Sequence, residues 1–181
     1  MRRWFRTVTA IKVIGLLTVF VLDRVLASQR GSRPHAPIRS HVVIEAPIER
    51  VWAELADIPG QVRWMREMKS VRLLTPGPVG VGSRGEATVR ILGISVTDPV
   101  EVTEFEPTRR FAIRHEGTFT GGGVIELRPG ADGTTTIMTW DETLIPPFLP
   151  DLVLAIQRPI FGAIFQADLH HFRELFEGRP G

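Results

Sequence analysis

The chain has 181 residues, 43% of them apolar, which suits one domain with an appendage and excludes a multi-span membrane protein. It has no cysteine, so disulfides and thiolate metal sites are excluded. The net charge of +2 is split, with residues 1–40 carrying +7 and residues 41–181 carrying −5; a nucleic-acid footprint is therefore not expected on the folded part, while the basic arm suits a membrane surface.

Val13 to Leu22, VIGLLTVFVL, forms ten residues without a charge. Extended back to Thr7 the stretch takes in Lys12, and its sixteen residues span about 24 Å as a helix, short of the roughly 30 Å hydrocarbon core. Lys12 can snorkel toward the N-terminal side, placing Trp4 and Phe5 at the interface and Arg2, Arg3 and Arg6 among headgroups. Residues 1–27 are read as a membrane-targeting segment, with a single-pass anchor as the leading reading. Two others stay open: a signal peptide cleaved after Ala27, with Val25 at −3 and the product secreted, or an interfacial helix with Arg2, Arg6, Thr9 and Lys12 on one stripe. Asp23-Arg24 argues against cleavage. Basic residues number four on each side of the run, so orientation stays open. Residues 28–40, SQRGSRPHAPIRS, read as a linker with little to bury.

The domain is expected over 41–181. His41 to Glu45 reads as a strand. Pro47 suits a helix start, and Ile48, Val51, Trp52 and Leu55 then recur at helical spacing. Asp57-Ile58-Pro59-Gly60 stops that helix, and a second short helix is expected over Gln61 to Glu67. From Val71 the period becomes two: Ala87, Val89 and Ile91; Ile94, Val96, Val100 and Val102; Phe111, Ile113 and His115; Ile125 and Leu127; Met138 and Trp140. With turns at Leu92-Gly93, Glu106-Pro107 and Pro129 to Gly133, this is an antiparallel meander with one apolar face. Its cover is a helix over Pro150 to Glu177, roughly 40 Å long, with Phe161, Phe165, Phe172 and Phe176 near one stripe and a kink expected at Pro159.

That order resembles the SRPBCC or START-like superfamily, in particular its polyketide cyclase/dehydrase and lipid-transport branch. The resembling stretches are IEAPIERVWAELADIPGQVRWM (Ile44–Met65), VTEFEPTRRFAI (Val102–Ile113) and GADGTTTIMTWDETL (Gly130–Leu144). The resemblance covers nearly all of 41–181 and none of the first forty residues. It implies an α+β helix-grip fold, a curved antiparallel sheet wrapped around a long C-terminal helix with a ligand cavity between them. No invariant catalytic set transfers. What transfers is location. The concave face offers Ala87, Val89, Ile91, Val96, Val100, Phe111, Ile113, Phe119 and Trp140, the helix offers Phe161 and Phe165, and Trp64 and Met65 are expected near the mouth.

Two polar residues share the cavity parity. His115 is either an acid/base or a hydrogen-bonded wall residue, and the wall is favoured. Glu142 is either a cavity carboxylate or a solvated strand end, and the rim is favoured. Asp98 falls on the apolar parity, but Pro99 suggests a bulge turning it outward. Gly121-Gly122-Gly123 lacks the lysine of a phosphate loop and reads as a curvature device. The histidines His35, His41, His115, His170 and His171 lack metal spacing, since the adjacent pair would point about 100° apart on a helix. No metal and no cofactor is expected, and oligomeric state stays open. Three functions are open: a membrane-associated carrier or binder of a hydrophobic molecule such as a lipid, quinone or polyketide, which leads; a cyclase or dehydratase using His115 or Glu142; and an interaction module with a collapsed cavity. Buried ionisable groups in a cavity would favour the enzyme, a dry apolar tunnel the carrier, and a filled core the module.

Overall fold

The computed structural model describes residues 2–91, 93–131 and 133–177, with side chains of the first helix from Ile11 onward. The first element, α1, runs Arg2–Arg30 and passes through the segment expected to be linker as far as Arg30. β1 spans Ile38–Ile44, three residues earlier than the expected His41 start, because Ile38 and Ser40 continue the buried positions of Val42 and Ile44. The residues before it are also held: the Arg158 guanidinium donates to the carbonyls of Ala36 and Pro37, at 2.6 and 3.2 Å.

α2 is Ile48–Ala56, and its Val51, Trp52 and Leu55 are buried as the spacing requires. The helix expected over Gln61 to Glu67 is instead a 3-10 helix at Ile58–Arg63. The residues read only as a stop start this turn themselves: the Asp57 carboxylate accepts from the Gly60 amide at 3.2 Å, and Pro59 fits the first turn, where no N–H is needed. The chain then enters the sheet at once. Its strands are β2 (Met68–Leu73), β3 (Arg84–Ile91), β4 (Ile94–Glu106), β5 (Arg110–Glu116), β6 (Thr120–Pro129) and β7 (Thr136–Ile145). All pairings are antiparallel, in the order β1-β7-β6-β5-β4-β3-β2. The bulge expected at Pro99 is absent, since Pro99 pairs with Glu86 in unbroken register; β4 shifts register between Val102 and Glu104 instead.

α3, Pro150–Glu174, continues through Pro159 as one element and packs along β1. Gln166 clamps that edge strand, donating Nε2 to the His41 carbonyl at 2.9 Å and accepting the His41 amide at 3.3 Å. Exposed strand edges invite unwanted pairing, and this helix covers the β1 edge. Phe165, Leu169 and Phe172 of α3 meet Ile44, Met138 and Trp140 in the core. The result is a helix-grip fold, a curled seven-stranded sheet closed by a long C-terminal helix. Among the described residues, the helix long and apolar enough to cross a membrane by length and composition is α3 rather than α1, whose first nine side chains lie outside the described set.

Candidate functional site

Between the concave sheet face and α3 lies a cavity of about 360 Å³. Alternation along β3, β4 and β5 sends every second side chain into it, which is why Val89, Ile91, Val100, Phe111, Ile113 and His115 share its wall. Phe119 of the β5–β6 turn, Trp140 of β7, and Phe161 and Phe165 of α3 complete the expected lining, with Ala87, Val96 and Met65 beside them. Phe161 and Phe165 stack with centroids 5.8 Å apart, and Trp140 lies 4.7 Å from Phe165, making a continuous aromatic floor. A volume of this size, so largely apolar, corrects the reading of a collapsed cavity.

Trp64 is not at the mouth. It is fully buried, packed edge-on against Phe172 at 4.9 Å and Trp140 at 6.1 Å, because the 3-10 turn points it beneath α3. It is a core residue outside the lining. Asp98 is corrected in the opposite direction. With no bulge to turn it, it reaches the cavity wall and accepts from the amides of Thr118 and Phe119, at 2.9 and 3.4 Å, fixing the β5–β6 turn.

Glu142 corrects the solvated-rim expectation, being only 4% exposed. Its Oε1 lies 2.8 Å from His115 Nε2, and its Oε2 accepts from the Trp140 indole at 2.8 Å. Pairing explains the approach: β6 lies between β5 and β7, and its Gly123 pairs with both Ile113 and Glu142. A side-chain carbon at Gly123 would overlap Glu142 Oε2, so the missing side chain is what lets His115 and Glu142 meet across the strand. A carboxylate so placed holds the imidazole as its Nε2–H tautomer and leaves Nδ1 without a hydrogen bond among the described residues. That arrangement can orient a ligand's polar group, or take a proton from it.

A second polar station was not foreseen. Glu67, just before β2, and Asp168 of α3 also line the cavity. Asp168 is 3% exposed, and its Oδ1 accepts from the Arg66 amide at 3.2 Å. Burial, reinforced by the neighbouring Glu67 carboxylate, pushes the Asp168 carboxyl up to about 7 against the opposing pull of the Arg66 amide. The signal was present in the sequence, because Asp168 falls three residues after Phe165 and four before Phe172, on the phenylalanine stripe itself. Among the described residues no group of three or more acidic or histidine side chains could hold a metal.

Comparison with known proteins agrees with this architecture. Among solved structures, DR_A0006 from Deinococcus radiodurans is 26% identical with a TM-score of 0.59, over 78% of this chain and 98% of its own. TTHA0849 from Thermus thermophilus shares the fold at 22% identity and a TM-score of 0.62, over 76% of this chain and 94% of its own. XoxI from Bacillus cereus does so at 19% identity and a TM-score of 0.62, over 79% and 96%. No curated protein matches the sequence. The profile of one family covers residues 35–177, from just before the held segment that precedes β1 to just past the end of α3, and the chain belongs to that family, polyketide cyclase/dehydrase and lipid transport.

Proposed function

We propose that the protein binds a hydrophobic small molecule carrying a polar group, and does so at a membrane. The observation that carries this reading is the cavity itself: its surface is largely apolar, and the polar side chains in its wall include His115 and Glu142, paired on one flank. An apolar body would lie along Ile113, Trp140, Phe161 and Phe165, and a hydroxyl or carbonyl would meet the imidazole. Apolar burial contributes roughly 25 cal/mol per Å², so hiding about 300 Å² of ligand is worth several kcal/mol before association costs. Native mass spectrometry of the full chain purified in mild detergent tests this. A retained apolar molecule is expected, and its absence together with no uptake of any lipophilic probe would overturn the reading.

The membrane part rests on α1. From Ile11 to Leu22 its side chains are exposed all round except Val19, with Leu16 at 72% and Ile14 at 62%, and no part of the domain covers them. Thr7 to Leu22 as helix measures about 24 Å, and the preceding turn of α1 carries Arg2, Arg3 and Arg6 on into the headgroups, as a short span requires. Cleavage after Ala27 would remove Asp23, a buried residue bonded to α3, so an anchor is favoured over a leader. Cell fractionation, with the mass of the membrane-bound form, distinguishes the two.

A second reading is favoured by the His115–Glu142 contact, since a base oriented by a carboxylate is also a catalytic arrangement. In it His115 Nδ1 removes a proton from an acidic position of the bound molecule, and Glu142 stabilises the imidazolium. Incubating the retained ligand or its analogues with the protein decides. Turnover lost in His115→Ala while binding persists would make the protein an enzyme.

A further inference from the structure

α1 does not merely precede the domain; it is fastened to it. Asp23, 1% exposed, accepts at one carboxylate oxygen the amides of Asp151 and Leu152, at 3.0 and 3.1 Å. These are first-turn amides of α3 with no partner inside their own helix, and α3 has no capping side chain of its own. Two turns further along α1, Arg30 clasps the Asp151 carboxylate through Nε at 2.7 Å and its second nitrogen at 3.3 Å. Two contacts seven residues apart on one helix fix a direction as well as a position.

That joint lies where the apolar run of α1 ends, at Leu22. Three residues before Asp151 stands Phe148, 80% exposed in the β7–α3 loop. Ile156 and Ile160 of α3 follow eight and twelve residues later, four apart on the helix, and are 61% and 42% exposed. Arg24, 55% exposed, extends from the same joint and suits anionic headgroups. The loop leaves the sheet next to the cavity: Leu144, two residues before it, lines the wall, and the last residue of β7, Ile145, pairs with Thr120, the neighbour of the cavity-lining Phe119.

We propose that the Asp23–Arg30 clasp holds the domain so that Phe148, Ile156 and Ile160 form a second contact with the lipid bilayer, setting the Phe119 end of the cavity against the membrane. This rests on α1 being a membrane anchor. The occupant is lipid because the patch continues from the end of the uncharged run Val13–Leu22, which is exposed on every side except at Val19, and exposed aromatic and aliphatic side chains there bury into the headgroup and acyl boundary.

The chain has no cysteine, so single introduced thiols report cleanly. The full chain is reconstituted in phosphatidylcholine–phosphatidylglycerol vesicles with an environment-sensitive fluorophore at Leu17→Cys, Phe148→Cys or Val43→Cys. Val43 is a 52% exposed site toward the far end of β1. With nitroxide-bearing acyl chains in the vesicles, Leu17 and Phe148 labels should lose most of their emission and the Val43 label should keep it. Adding Asp23→Ala should restore emission at 148 but not at 17. Quenching at 17 without quenching at 148 would overturn the second contact and leave the anchor standing. No quenching at 17 would remove the anchor and this proposal together. A blue-shifted 148 label that lipid nitroxides do not quench would mean a protein partner, which also overturns it, and quenching at 148 indifferent to Asp23→Ala would overturn the clasp.

Discussion

His115 Nε2 lies 2.8 Å from Glu142 Oε1 across the intervening β6, and the space between them exists because residue 123 is glycine. The pair is the polar element of one cavity flank, where it can meet the polar end of a ligand.

Replacing Gly123 by alanine should displace the Glu142 carboxylate, breaking its bonds to both His115 and Trp140. Overpacking at such a site costs about 1–3 kcal/mol. Thermal unfolding should show that loss, and an unchanged midpoint would mean the carboxylate has room to move.

His115→Ala should leave binding of a purely apolar probe nearly intact and weaken a probe with a hydroxyl or carbonyl end. One hydrogen bond contributes about 1 kcal/mol, so the selective loss is about fivefold. Paired fluorescence titrations measure it, and an equal loss for both probes would place the polar group elsewhere.

Asp168 makes stability depend on pH in a defined direction. The folded state keeps its proton up to about 7, whereas an unfolded aspartate releases it near ~3.9. Between those values the unfolded chain binds fewer protons, so this group's contribution to stability falls as pH rises through the window and is level above it. Asp168→Asn keeps the oxygen that accepts from Arg66 and should therefore raise the melting temperature at pH 8 by a few degrees, and by less at pH 5. A difference independent of pH would contradict the assignment.

The order of elements and the cavity wall were legible because both depend on periodicity: an alternating strand sends Phe111, Ile113 and His115 to one face wherever the sheet curls. The state of Glu142 was not legible, since its burial depends on a glycine on the strand between it and His115, a relationship of register rather than spacing. Trp64 was misplaced because a 3-10 turn rotates its residues differently from the α-helix assumed. Asp98 was misplaced because proline suggested a bulge that the β3 pairing does not contain. The start of β1 was obscured by its setting, with Ile38 alone among polar and proline residues and its burial supplied by α3.

The burial of Ile38 gives a boundary test. A chain beginning at His41 lacks Ile38, which is 6% exposed and pairs with Glu142. It should be less stable than one beginning at His35 by about 1.5–3 kcal/mol, the value of one buried aliphatic side chain. Denaturant unfolding of the two compares them directly, and equal stability would show that β1 needs no residue before 41.

The central claim is that the space between sheet and α3 receives a hydrophobic ligand, and Ile113→Glu addresses it most directly. Ile113 lines the cavity wall between Phe111 and His115. A charge buried there without a partner is costly, so titration with a lipophilic fluorescent probe should show affinity lowered by at least about tenfold. Circular dichroism of the same sample establishes that the variant is folded. Loss of binding by the folded variant is the result this account predicts; a folded Ile113→Glu that binds the probe as the unaltered chain does would contradict it.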